Sequence, residues 1–195
     1  MCYSFRVSIL TGMTSWIIGL YILCTTKSTM VKKDMISLLI FSSMQFADAI
    51  LWYIDMKKNK INLFTTRFLI PLLLSMQLLY ANYFYFEKVH NIKLVFVWLY
   101  VFYLFFIKFD NYSIKSPKCK QQNCSPVWGG SDITLIEMVV FFFLTYFTGF
   151  NTSSMTIIPV ILFIYWYFDF GYGSHWCAIS NLIAFKYLLI NTWNK

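Results

Sequence analysis

FSSMQFADAILWYID, residues 41–55, is an apolar stretch that carries two strongly polar side chains in its interior, Gln45 and Asp48, and ends at Asp55. Polar and aromatic residues recur in it at spacings of three and four, which puts them on one face of a helix. They are Ser42, Gln45, Asp48, Trp52 and Asp55. An aspartate facing lipid at this depth costs about 3 kcal/mol or more. We therefore expect this face to point into protein or water.

The composition around this stretch indicates a membrane protein. Of 195 residues, 59% are hydrophobic and only 12% are charged, which is too little polar surface to cover a soluble globule. A bilayer core of about 30 Å needs a helix of about 20 apolar residues. We predict an all-α integral membrane bundle of seven transmembrane helices, forming one domain over residues 1–195. The predicted spans are 4–24, 35–56, 63–86, 94–109, 133–149, 154–170 and 174–193, and the long loop is 110–131.

The first span has an alternative interpretation. Arg6 followed by an apolar run is also typical of a cleavable signal peptide, whose loss would leave six spans. A retained helix is favoured because no small-x-small cleavage site precedes Lys27. In addition, Thr11, Ser15 and Gly19 lie four apart and form the small-residue ridge that lets membrane helices pack closely.

Charge and motifs exclude several functional classes. The net charge of +8 comes mostly from lysines in short loops, where they lie beside anionic headgroups, so the predicted partner is membrane lipid and not nucleic acid. There is no glycine-rich phosphate loop, and His90 and His175 lie in different connections. We predict no enzyme and no cofactor.

The long loop bears on orientation. Its lysines favour the cytoplasm, whereas Cys119 and Cys124, each close to a glycosylation sequon, favour an oxidising lumen. We predict a Cys119–Cys124 disulfide and a lumenal or extracellular N-terminus. The alternatives are free thiols and chance sequons; a zinc site would have only half its ligands.

Helices differ in their predicted surroundings. The fourth span, LVFVWLYVFYLFFI, has no strongly polar side chain other than tyrosine, which predicts a peripheral, lipid-facing helix. In the third span, Arg67, Pro71, Ser75 and Asn82 share one face of an ideal helix.

Asp48 is too deep for its short side chain to reach either end of its helix, since Asp34 lies about 20 Å away and Asp55 about 10 Å away. A short turn makes the second and third spans antiparallel neighbours, which places Arg67 at a depth between Asp48 and Asp55. We predict a charged Asp48, held beside Arg67 or in a water-filled cavity. Its nearest polar groups are predicted to be Gln45, Arg67, Gln77 and Asn181.

Lys186 in the last span suggests a different class of protein. Seven spans with a lysine in the seventh resemble a retinal protein, and TTRFLIPLLL, residues 65–74, is similar to the third helix of microbial rhodopsins. That family has carboxylates in its third helix and about a turn before the lysine. Gln77 and Asn181 occur here instead, so the retinal hypothesis is an alternative.

Two other resemblances concern the whole architecture. MQFADAILW with GSHWC, residues 44–52 and 173–177, resembles an uncharacterised multi-pass membrane protein family of large DNA viruses and protists. The seven spans with a featureless fourth resemble the plan of PQ-loop and SWEET facilitators, although no Pro-Gln dipeptide is present. Fold alone does not establish function.

The intramembrane carboxylate therefore carries the functional hypothesis. A buried charged residue in a membrane usually marks a pathway, which predicts binding or passage of a small polar solute or proton. The alternative is a non-catalytic structural or assembly protein, in which Gln45 and Asp48 only tie helices together. The surroundings of Asp48, a solvated cavity or a closed helix contact, discriminate between them.

Overall fold

The computed structural model describes residues 4–86, 89–115, 126–131, 133–146 and 172–193. Its helices, numbered in chain order over these residues, are α1 Phe5–Thr25, α2 Thr29–Tyr53, α3 Lys60–Tyr85, α4 Asn91–Lys108, α5 Leu135–Tyr146 and α6 Tyr172–Trp193. Two short strands, β1 Ile114–Lys115 and β2 Pro126–Val127, pair antiparallel and lead into a 3₁₀ turn, Trp128–Gly130.

The described part of the chain is mostly helical, and α1 to α4 are each long and apolar enough to cross a bilayer. These four helices are compatible with a membrane protein. The count of seven spans stays a prediction, and the predicted span 154–170 lies outside the described residues.

Helix α1 packs through a ridge of small residues. Its buried residues are Ser8, Gly12, Ser15, Gly19 and Ile22, and they face α2 and α6. Ser15 and Gly19 of the predicted ridge are buried, whereas Thr11 is only partly buried and its hydroxyl bonds to the Val7 carbonyl of the preceding turn at 2.7 Å. Small side chains at a helix interface let two backbones approach closely.

Helix α2 is the central helix, in contact with α1, α3 and α6. It begins at Thr29, six residues before the predicted start, because Ser28 caps its first turn and Asp34 is buried by neighbouring helices. The helical hydrogen-bond pattern is interrupted at Ser43, whose hydroxyl bonds to the Leu39 carbonyl at 2.7 Å. Such back-bonding bends helices locally.

Helix α3 contains two π-helical turns, Thr65–Leu69 and Ala81–Tyr85. The first precedes Pro71, which has no N–H to give to the carbonyl four residues earlier. The Ile70 N–H bonds instead to the Thr65 carbonyl, five residues back. A π turn holds more residues than an α turn, so it rotates the residues before it relative to those after it.

Helix α4 lies at the periphery, as predicted. Only Val97, Val101 and Leu104 are buried along it. Large apolar side chains such as Trp98, Phe102 and Phe106 are more than half exposed. An exposed apolar surface of this kind suits contact with lipid.

Replacing Gly12 by leucine should destabilise the fold. A Cβ at this position would lie 3.1 Å from Cε1 of Phe46 and 3.3 Å from Cβ of Gln45, so a larger side chain forces α1 away from α2. Overpacking of this kind costs about 1–3 kcal/mol. Thermal unfolding of the detergent-solubilised protein measures this loss of stability. Met13→Leu, at a neighbouring position that is 49% exposed, is the control and should leave the transition temperature unchanged; equal effects would contradict the packing.

Candidate polar site around Asp48

Asp48 is completely buried in the bundle. Its Oδ1 accepts a hydrogen bond from the indole N–H of Trp128 at 2.8 Å. Its Oδ2 has no hydrogen-bond partner among the described residues. One half of the carboxylate is therefore satisfied by the protein, and the hydrogen-bonding capacity of the other half is unused among the described residues.

Trp128 reaches Asp48 from the long loop. Its side chain is 4% exposed, and it follows β2, which packs against α2 and α6. Gly129 and Gly130 come next with positive φ values of 69° and 73°. A Cβ on Gly129 would lie 3.2 Å from the Lys108 carbonyl oxygen and from Cα of Phe109, so this turn needs glycine both for its conformation and for its close approach to α4.

Asn62 holds the loop in place. Its side-chain amide donates to the carbonyls of Met56, Lys57 and Ser113 at 3.2, 3.1 and 2.9 Å. Its oxygen accepts from the Ser113 N–H at 2.9 Å and the Thr66 hydroxyl at 3.0 Å. This fully buried amide ties the turn after α2, the start of α3 and the loop strand β1 into one unit.

An ion pair adds to this attachment at the surface. Lys115 of β1 pairs with Asp55, just beyond the end of α2. The hydrogen bond and the positive charge of Lys115 lower the pKa of the Asp55 carboxyl. Both groups are exposed, so the pair adds little to stability.

A second buried polar group lies one turn from Asp48. The Gln45 amide donates to the Ser180 hydroxyl of α6. Ser15 of α1 contacts the same hydroxyl at 3.2 Å and Asn181 Oδ1 at 3.4 Å. Of the predicted site residues, Gln45, Asp48 and Asn181 thus lie in one region, and Gln45 Oε1 has no partner among the described residues.

Gln77 is buried but lies apart from this group. It is 5% exposed, and neither of its amide atoms has a partner in the described part of the chain. Helices α2 and α3 run antiparallel: Asn62 at the start of α3 contacts Met56 just after α2, and the Tyr80 hydroxyl near the end of α3 contacts the Lys33 carbonyl near the start of α2, at 3.1 Å. Because Gln77 is only three residues before Tyr80, it lies nearer to the first half of α2 than to Gln45.

Arg67, one of the two surroundings predicted for Asp48 and one of its predicted polar neighbours, does not bond to it. Arg67 forms an ion pair with Asp110, and the two side chains are 48% and 64% exposed. Pro71, Ser75 and Asn82 are buried as predicted for their shared face, but Arg67 is not. The π turn Thr65–Leu69 explains the difference, because it rotates Arg67 off the face that an ideal helix would give it.

A third polar group, around Asp34, was missed by sequence analysis. Asp34 is 3% exposed, and its two oxygens accept from the hydroxyls of Tyr85 and Tyr187, both at 2.6 Å. These bonds join α2 to α3 and α6. Asp34 stands directly after Lys32 and Lys33, which is typical of a helix start at the membrane surface, and its tyrosine partners are 51 and 153 positions away.

Glu137 and Lys186 are two further charged residues whose contacts the structure describes. Glu137 Oε2 accepts from the Thr134 N–H at 2.6 Å and the Lys108 ammonium at 2.9 Å, and Oε1 accepts from Tyr103. These contacts cap α5 and attach it to α4. The Lys186 ammonium lies 5.6 Å from the ring centroid of the neighbouring Tyr187.

Two further points concern the predicted disulfide and metal binding. Cys119 and Cys124 fall outside the described residues, so their disulfide stays a prediction. Within the ranges that the structure describes, no group of three or more histidine, cysteine, aspartate or glutamate residues could hold a metal ion.

Comparisons with known proteins name no relative. No family model, no curated protein and no solved structure matches the chain. The function must therefore be argued from the residues themselves.

Replacing Trp128 by phenylalanine should destabilise the protein by about 1–3 kcal/mol, because it leaves a buried carboxylate oxygen without its donor. Denaturant unfolding measures this loss. In a double-mutant cycle with Asp48→Leu, which removes the acceptor, the two losses should not add, since they remove the same bond. Trp98→Phe is the control, because Trp98 is 52% exposed and its indole donates to the hydroxyl of Tyr83 at the surface. Additive losses would show that the Trp128–Asp48 bond contributes nothing.

Proposed function

We propose that this chain is a multi-pass integral membrane protein that binds or passes a proton or a small polar solute at Asp48, between α2, α3 and α6. The observation that carries the proposal is the carboxylate of Asp48, which is fully buried, bonded through Oδ1 to Trp128 and unpartnered at Oδ2 among the described residues. Intramembrane carboxylates are expensive and usually belong to a pathway.

The neighbouring Gln45 supports a small, polar occupant. Its Oε1 is also buried without a partner in the described structure. Buried polar atoms in proteins normally have a partner, so an unmet acceptor or donor points to a bound water or ligand. Because Asp48 itself has no exposed surface, a proton or a molecule of water's size fits this position better than a large solute.

A structural role for Asp48 is the second candidate, and two observations favour it: Asp48 has no exposed surface, as in a closed helix contact, and it is bonded to the long loop. The Trp128–Asp48 bond docks the long loop on the bundle, and the Gln45–Ser180 bond joins α2 to α6. Interhelical hydrogen bonds of this type contribute about 1 kcal/mol each in membranes. In an assembly or scaffold protein, these hydrogen bonds would be the whole role of Asp48 and Gln45.

The topology that accompanies the proposal has seven spans and a lumenal or extracellular N-terminus. Helix α1 is retained in it, since Ser15 bonds to Ser180 and Thr25 accepts from the Asn191 side chain at 3.1 Å, so the middle and the C-terminal end of α1 are held by α6. The loop that carries Cys119 and Cys124 lies on the N-terminal side, where an oxidising compartment would join the two thiols.

Proton flux in reconstituted vesicles tests the proposed function. A potassium gradient with valinomycin drives protons inward, and a trapped pH-sensitive dye reports them. Wild-type protein should acidify vesicles faster than empty vesicles do, and Asp48→Asn should reduce the rate to that of empty vesicles because an amide cannot carry the proton. Asp55→Asn is the matched control, since Asp55 is an exposed carboxylate just beyond the end of α2.

The structural candidate gives a different pattern. If Asp48 only ties the helices together, wild-type vesicles will acidify no faster than empty ones. Asp48→Asn will then unfold at nearly the wild-type temperature, because asparagine still accepts from Trp128, and Asp48→Leu alone will lower it. Normal folding and normal flux in Asp48→Leu would exclude both roles.

A further inference from the structure

A long apolar groove lies between α4 and α5, away from Asp48. Its volume is about 710 Å³, within the range of ligand-binding clefts. Apolar side chains from both helices form its walls. They include Ile92, Phe96, Leu99, Val140, Phe143 and Leu144.

The two ends of the groove differ chemically. At one end lie His90 and Lys93, and the Lys93 ammonium is 5.6 Å from the ring centroid of Phe86. At the other end the tyrosine hydroxyls turn away from the groove toward Glu137, where Tyr100 donates to its carbonyl at 2.9 Å and Tyr103 to its carboxylate. One end is therefore basic, and the other is closed by aromatic rings whose polar atoms are already used.

The length of the groove matches one leaflet of a bilayer. From Lys93 to Tyr103 the helix rises about 15 Å, which is half of the hydrocarbon core of about 30 Å. A lysine at the end of such a path lies at headgroup level, where basic residues attract anionic lipid.

We propose that this groove binds one anionic phospholipid, with an acyl chain along the walls and the phosphate at Lys93 and His90. The charge at the mouth selects an anionic headgroup, and the apolar walls and the length select a lipid tail. The site depends on the membrane assignment but not on any role of Asp48, so it can fail while the proposed proton site holds.

Photocrosslinking from inside the groove tests the proposal. The photoreactive residue p-benzoylphenylalanine replaces Leu99, which lines the groove and is 59% exposed, in vesicles of phosphatidylcholine with one quarter phosphatidylglycerol. Adducts should be enriched about fivefold in phosphatidylglycerol over the vesicle ratio, as about 1 kcal/mol per surface lysine implies. Lys93→Gln should return the adducts to the vesicle ratio.

The same replacement at Phe102 is the matched control. Phe102 lies on the same helix and is 56% exposed, but it does not line the groove, so its adducts should follow the vesicle ratio. Three results would overturn the proposal: adducts at position 99 that follow the vesicle ratio, enrichment that survives Lys93→Gln, and crosslinks from position 99 to the protein chain itself.

Discussion

The burial of Asp48 depends on a donor that comes from outside the helix bundle. Helix α2 has no free backbone N–H in its interior to offer a carboxylate, because each one is used in the helix itself. The indole of Trp128 supplies the bond, and it can do so only because the loop after α4 is folded against the ends of α2 and α6. The loop and the buried carboxyl group therefore belong to one structural unit.

Two kinds of contact hold the rest of the bundle around this unit. Small residues at Gly12 and Gly19 bring α1 against α2, so closely that a Cβ on either glycine would lie 3.1 Å from a side-chain carbon of α2. Polar bonds then fix the register, through Ser180 near the middle of the bundle and Asn62 at the loop end. Packing against lipid provides no comparable selectivity, because lipid tails are as apolar as the side chains that face them.

Features that depend on local spacing could be predicted from the sequence. The buried stripe with Gln45 and Asp48, the ridge at Ser15 and Gly19, and the exposed apolar face of α4 all follow from helical periodicity. Each of these three features can be predicted by assuming a regular helix whose outer face contacts an apolar environment.

The features that were missed depend on irregular backbone or on distant parts of the chain. Arg67 pairs with Asp110 and not with Asp48, because a π turn interrupts the regular helical periodicity from which its buried position was predicted. Trp128 is 80 positions from Asp48, and no pattern in a single sequence connects a loop tryptophan to a helix carboxylate. The burial of Asp34 has no local signal either, because its two tyrosine donors are supplied by other helices.

The two buried carboxyl groups of α2, those of Asp34 and Asp48, are attached to the rest of the structure unequally. Asp34 is held through both oxygens by α3 and α6, whereas Asp48 is held through one oxygen by the loop. Loss of one tyrosine hydroxyl would leave Asp34 with a second donor, whereas loss of the Trp128 indole would leave Asp48 with none among the described residues.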